Sequence, residues 1–236
     1  MHTHINCKEL FFLFAIFLLH SCGDESDFFP TEEGRKIFYK VNYENKEKKT
    51  QNFRQNYVFL PKKNGEFFPH LRNDGKVIYY KFIKQGIKIE EIEYLQSELA
   101  KKPKNKMAFE KGNLLLKFPI KNGASWKTRD QTTIIMKFGF DRIFETLLNF
   151  ELQNKIVETN VTVNLEGRKF TNCVKVVGKG STSYNAGPPL GNINIEITSN
   201  AWFSRDYGLI KLTREEKSNS ETMGRIFYEK TMVVDD

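Results

Sequence analysis

The sequence predicts a mainly β protein, folded as a single antiparallel, strongly curved sheet or open half barrel, with one short helix as an option. Apolar and polar residues alternate through most of the chain, which is typical of strands with one face in a core and the other in water. These runs are rich in Phe, Tyr, Ile and Val, which favour strands. No long linker divides the chain, so we expect a single β-rich domain over residues 28–236.

The first predicted strand is "KIFYKVNYE", where Ile37, Tyr39, Val41 and Tyr43 alternate with polar residues. A side-chain period of two places these apolar residues on one face of the sheet. The following "KVIYYKFIKQGIKIEEIE" predicts a hairpin that turns at Gln85-Gly86.

The second half of the chain continues the same pattern. Further predicted strands lie in "TTIIMKFGF", "IVETNVTVNLEGRKFTNCVKVVG", "NINIEITS", "YGLIKLTRE" and "RIFYEKTMVV". The pair Glu166-Gly167 predicts a hairpin turn, and residues 178–192, rich in Gly, Ser, Pro and Asn, predict a long loop. Residues 90–100 and 141–149 carry apolar side chains at helical spacing, so a helix stays open at each.

A weak internal repeat joins Phe-Pro to a later Gly and an aromatic residue. It occurs over residues 29–34, 118–123 and, more loosely, 68–75. Proline removes a ladder donor and glycine permits a positive φ. Each copy therefore predicts a turn followed by the start of a strand.

The N-terminal apolar run, Leu10 to Leu19, is ten residues long. A membrane-spanning helix needs about 20 apolar residues, whereas a signal-peptide core needs about 7–15. Lys8 supplies the positive charge that normally precedes such a core. A buried core helix is the alternative, but the run lacks the polar face that a soluble helix turns to water.

The residues after this run, Leu19-His20-Ser21-Cys22, resemble the lipobox of bacterial lipoproteins, with Leu three residues before an obligatory Cys. The resemblance implies a signal peptide over residues 1–21, cleavage after Ser21, and acyl chains such as palmitate on Cys22. Residues 22–27 would then be the lipidated Cys and a short tether. Gly23 after the Cys implies the outer membrane of the cell envelope. The alternative for Cys22 is a free or disulfide-bonded thiol.

The formal charge of +8 limits the classes of partner. A positive field attracts nucleic acid, anionic lipid or acidic glycan, and export argues against nucleic acid. The lysines are scattered beside Asn, Gly and Pro, which favours solvated loops. The more specific interpretation of the positive charge is that it contacts anionic lipid head groups or an envelope protein.

Few residues remain for catalysis after residues 1–21 are removed. His70 is then the only histidine, and Cys173 is the only thiol besides Cys22. A transition-metal site needs three or four ligands, and no G-x-S-x-G motif occurs. We therefore expect no metal, no cofactor and no catalytic residue, and a hydrolase that uses His70 ranks third among the functions.

Four segments resemble a set of poorly characterised bacterial envelope proteins, many of them lipoproteins: "FFPTEEGRKIFYKV", "FPIKNGASW", "VTVNLEGRKFTNCVKV" and "WFSRDYGLIKL". The resemblance implies a β-rich fold and a buried strand position for Cys173, and it is silent about activity. We expect a membrane-anchored envelope lipoprotein with a non-catalytic structural or partner-binding role. The alternative is a periplasmic lipid or lipoprotein carrier whose curved sheet encloses an apolar concavity.

Overall fold

The computed structural model describes most of the chain beyond the predicted signal peptide. The described residues are 25–45, 49–95, 110–138, 142–188, 190–221 and 223–233. The predicted cleavage position after Ser21 and the predicted lipidation residue Cys22 lie outside them.

The fold is one antiparallel sheet of twelve strands. The strands are β1 Lys36–Glu44, β2 Thr50–Phe59, β3 Phe67–Arg72, β4 Lys76–Ile83, β5 Gly86–Tyr94, β6 Leu114–Lys117, β7 Ser125–Phe138, β8 Arg142–Leu165, β9 Arg168–Asn185, β10 Asn192–Ser204, β11 Gly208–Ser218 and β12 Arg225–Val233. Their order is β6-β5-β4-β3-β2-β1-β12-β11-β10-β9-β8-β7. The pairing of β1 with β12 joins the two halves of the sheet, and the edge strands β6 and β7 come together, so the sheet forms a nearly closed barrel with one seam between them. The predicted fold class is confirmed.

Side chains bridge the seam between β6 and β7 where the strand ladder is missing. The Asn113 carboxamide accepts a hydrogen bond from the Arg129 amide (2.9 Å) and donates one to the Arg129 carbonyl (2.7 Å). The Trp126 indole also donates to the Leu114 carbonyl at 3.0 Å. Asn113 thus pairs with both backbone groups of one residue of β7, as a neighbouring strand would.

The hairpin between β8 and β9 turns where the sequence predicted it. Glu166 and Gly167 both have positive φ, 45° and 88°, which suits a tight hairpin turn. The end of this hairpin brings Leu165, Phe170 and Cys173 into one buried cluster, whose other buried members are Ile37, Tyr39, Phe59, Ile210 and Met232. The hairpin therefore packs against β1, β2, β11 and β12.

Three local predictions are corrected by the fold. Residues 142–149 form the beginning of β8, and residues 90–94 form the end of β5, so neither is helical; residues 96–100 lie outside the described part. The predicted loop over residues 178–192 is strand up to Asn185. Gly178 and Gly180 serve close packing, because a Cβ at Gly180 would lie 2.5 Å from the Glu151 carbonyl oxygen on β8.

The described part of the predicted tether is folded as well. Glu25–Phe28 forms a short 3-10 helix. The Glu25 carboxylate accepts a hydrogen bond from the Ile120 amide at 2.5 Å, and Asp27 pairs with Arg205 at 2.9 Å. Phe28 is buried. Residues 25–27, which the sequence assigned to the tether, therefore belong to the domain.

Candidate ligand site inside the barrel

The inner face of β1, β2 and β12 carries a mixed aromatic and polar cluster. Val41 on β1 lies opposite Phe53 on β2 and Lys230 on β12. Directly opposed residues of an antiparallel pair project from the same face, so these side chains share the interior with Tyr39, two residues before Val41. Tyr57, opposite Ile37, and its partner Arg72 on β3 continue that face.

Lys230 lies at the base of this cluster and is only 6% exposed. Its ammonium donates a hydrogen bond to the Tyr57 hydroxyl at 3.0 Å. It also lies 4.1 Å from the ring centroid of Tyr39 and 4.5 Å from that of Tyr57, within the range of cation–π attraction. Among the described residues, no carboxylate forms an ion pair with Lys230.

The cationic side chains of Lys230 and Arg72 change the acidity of Tyr57, which lies between them. Burial alone would raise the pKa of Tyr57, but the charges of Lys230 and Arg72 and their hydrogen bonds lower it below its usual value. Burial raises the pKa of Tyr39, and it raises the pKa of Tyr228 to about 12. Tyr57 is therefore the most acidic of these three phenols.

An ion cluster ties β7 to β11 across the interior, and its Arg214 opposes Tyr228 of β12 in the strand register. The guanidinium of Arg214 lies 2.6 Å from the Asp130 carboxylate and 2.7 Å from the Glu216 carboxylate, and it donates to the Gln131 carbonyl at 3.1 Å. The Thr132 hydroxyl donates to Glu216. Burial raises the pKa of Asp130, although Arg214 opposes the shift. Two carboxylates thus share one guanidinium.

Among the described residues, several side chains of the inner face are exposed near the turn between β1 and β2. Phe53 is 47% exposed although it lies on the inner face. Tyr43 and Tyr228, which oppose each other on β1 and β12, are only partly buried. We call this opening the tyrosine groove, and we define it by Tyr43, Phe53, Gln55, Tyr57, Arg72, Tyr228 and Lys230.

His70 lies in a stack of aromatic rings. Its ring lies parallel to Phe59 at 3.8 Å and to Phe29 at 4.9 Å between centroids. Burial lowers the pKa of His70 to about 3, so the ring is neutral near pH 7. Its Nε2 atom has no hydrogen-bond partner among the described residues. Cys173 is fully buried in β9, and burial raises the pKa of its thiol.

A second concavity lies beside the N-terminal 3-10 helix. This cleft of about 460 Å³ is lined by Phe29, Phe68, Phe82 and charged residues that include Arg35 and Lys62. Within the described ranges, no three His, Cys, Asp or Glu side chains are arranged to hold a metal ion. No helix in that part of the chain is long and apolar enough to span a membrane.

The fold and groove define this chain as a nearly closed antiparallel β barrel with charged side chains in its interior. No protein-family model, no curated protein and no solved structure matches the sequence. The resemblance to envelope lipoproteins therefore stays a prediction.

Of the groove residues, only Tyr43 was placed from the sequence, on the apolar face of the first strand, and none was predicted to bind a ligand. A signal was present in the last strand, "RIFYEKTMV", where Lys230 falls in phase with Ile226, Tyr228 and Met232. A lysine on the apolar phase of a strand indicates a buried charge. Its aromatic and cationic neighbours come from β1, β2 and β3, and no local pattern brings those strands together.

Proposed function

We propose that this chain is a lipid-anchored protein of the bacterial envelope, attached through Cys22 to the outer membrane, with a non-catalytic role in binding a partner or ligand. The observation that carries the proposal is the position of the first described residues. They dock on one end of the barrel, and the tyrosine groove opens at the other end.

The docked N-terminal segment limits how far the barrel can lie from an anchored Cys22. Glu25 and Asp27 are held by Ile120 and Arg205, and Cys22 precedes Glu25 by three residues. Three extended residues reach about 10 Å. Acyl chains contribute about 0.8 kcal/mol for each buried methylene, and two signals give stable anchoring. An anchor on Cys22 would therefore hold this end of the barrel against the bilayer.

The same geometry would direct the groove away from the membrane. Strand β11 begins at Gly208, beside Pro30 of the docked segment, and ends at Ser218. Eleven residues of strand span about 35 Å. The turn after β11 lies at the far end. Phe53 is level with Leu212 in the strand register and lies three residues after the start of β2, so a soluble ligand or a partner protein would reach the groove from the side of the turn between β1 and β2.

The interior argues against the alternative of a lipid carrier. A carrier needs a continuous apolar cavity for an acyl chain. Here the buried cluster that contains Ile37, Tyr39 and Met232 fills the space below Lys230. The Arg214–Asp130 ion pair crosses the interior above it. This arrangement supports recognition of a polar ligand over transport of a long acyl chain.

The anchor is tested with Cys22→Ser in the native host. We expect wild-type protein to fractionate with membranes and to incorporate labelled palmitate, and the variant to lose both properties. Cys173→Ser is the matched control, since Cys173 is fully buried and should not affect either readout. Palmitate labelling that survives Cys22→Ser would refute the anchor.

The orientation is tested with a photocrosslinking amino acid at Glu33 or at Glu221, two exposed residues at opposite ends of the barrel. We expect crosslinks to lipid from position 33 and crosslinks to soluble or envelope proteins from position 221. Equal lipid crosslinking from both positions would contradict the orientation.

A further inference from the structure

A lipid anchor on the barrel does not explain why the ammonium of Lys230 is buried in its interior. A buried charge is costly unless it is paired and hydrogen-bonded. The rings of Tyr39 and Tyr57 and the Tyr57 hydroxyl meet part of this need. An ammonium has three donors, and the described residues supply a hydrogen-bond acceptor for one of them. The base of the groove is therefore suited to an anion.

Arg72 adds a second cation at the same place. It lies opposite Tyr57 in the strand register, and its side chain is 21% exposed. Its Nε and one terminal nitrogen both donate to the Asp74 carboxylate, Nε at 2.7 Å. This ion pair fixes the guanidinium at the rim and offsets part of its charge, and the other terminal nitrogen stays available to a ligand. Arg72 and Lys230 lie on either side of the Tyr57 hydroxyl. That hydroxyl donates a hydrogen bond to the Gln55 side chain at 3.2 Å.

The ion cluster beside Tyr228 restricts the charge of the ligand. Asp130 and Glu216 share Arg214, so the cluster carries one more negative than positive charge when both carboxylates are ionised. Coulomb repulsion is proportional to charge, so a ligand with two negative charges would be repelled there about twice as strongly as a ligand with one. Charge complementarity thus favours a carboxylate over a phosphate.

The walls restrict the size of the ligand as well. Phe53, Tyr43 and Tyr228 present aromatic surface at the mouth, where a ring or short chain can stack. Below Lys230, Tyr39 and Met232 are buried in a packed cluster. The groove therefore has an apolar mouth and a closed floor.

We propose that the tyrosine groove binds a small organic monoanion, a carboxylate attached to one aromatic ring or a short apolar chain. The carboxylate accepts hydrogen bonds from Lys230, Arg72 and the Tyr57 hydroxyl, and the apolar part lies against Phe53 and Tyr228. This names a ligand class for the binding role proposed above, and it stands whether or not Cys22 carries lipid.

The test is calorimetric titration of the full chain in non-ionic detergent with hydrocinnamate. We expect saturable binding of one equivalent for each chain. Hydrocinnamyl alcohol, which lacks the charge, should bind at least about tenfold more weakly, because a hydrogen bond to a charged group is worth about that much in affinity. Inorganic phosphate and palmitate should bind more weakly than hydrocinnamate.

The decisive variant is Lys230→Met, which keeps a long apolar side chain. We expect it to weaken hydrocinnamate binding about tenfold to a hundredfold. Lys211→Met, on the neighbouring strand and the outer face, is the matched control and should bind as the wild type does. Circular dichroism checks folding, and Tyr57→Phe, which keeps the ring, provides a second variant with a smaller loss.

Several results would overturn the proposal. These are no saturable binding of hydrocinnamate, equal binding of the alcohol, tighter binding of phosphate, or binding that Lys230→Met leaves unchanged. Repeating the titration with Cys22→Ser separates this site from the anchor. Binding that persists in that variant supports the groove even if the anchor proposal fails.

Discussion

His70 provides a quantitative test of the buried aromatic stack between Phe29 and Phe59. The pKa of His70 is about 3 in the folded protein and about 6.5 in an unfolded chain. The unfolded state therefore binds more protons between these values, and stability falls as pH falls through about 6.5. From the two pKa values, the free energy of unfolding is lower than at pH 7.5 by about 0.8 kcal/mol at pH 6 and by about 2 kcal/mol at pH 5.

The assay is urea unfolding of wild type and His70→Phe at several pH values from about 7.5 to 5. The variant keeps a flat ring in the stack but cannot titrate. The free energy of unfolding of the wild type should therefore fall relative to that of the variant by about 2 kcal/mol over this range. A difference that stays constant with pH would refute a buried, neutral His70. Any carboxylate titration affects both proteins and cancels in the comparison.

Two further predictions concern the seam of the barrel and the strand next to it. Asn113→Ala removes both hydrogen bonds to Arg129 and should lower the free energy of unfolding by about 1–2 kcal/mol, while the exposed control Asn160→Ala should stay within about 0.5 kcal/mol of wild type. An equal effect of the two changes would mean that Asn113 does not bridge the seam. Gly86→Ala would place a Cβ against the Leu116 carbonyl at a φ of 144°, so we expect a loss of about 3 kcal/mol or more in urea unfolding. A loss below about 1 kcal/mol would contradict the close pairing of β5 and β6.

Local patterns predicted the elements where one physical effect dominates. The alternation of Ile37, Tyr39 and Val41 predicted β1, because a strand that faces a core must alternate. Glu166-Gly167 predicted its hairpin because few residue pairs adopt two positive φ values in succession. The predicted loop over residues 178–192 was wrong in its first half, because Gly178 and Gly180 were interpreted as flexible. The structure uses them where β8 and β9 approach closely.

The segment with helical spacing, residues 141–149, shows a second way in which local pattern fails. Leu147 and Leu148 lie on opposite faces of β8 and are both partly buried, so apolar residues on both faces imitate a helical period. Strand pairing with β7 decides the outcome. Intrinsic preference is weak beside the continuous ladder of backbone hydrogen bonds that these residues form with β7.

The sequence by itself determined the class of fold, the positions of most turns and the prediction of an anchor at Cys22, because periodicity, turn chemistry and a lipobox are local properties. Only the tertiary structure decided that β1 pairs with β12, that Asn113 bridges the remaining seam, and that Lys230 meets Tyr57 and Arg72. Lys230 and Tyr57 are 173 residues apart in the chain. Their contact depends on the order and register in which the strands close, and that order is a property of the whole sheet rather than of any segment.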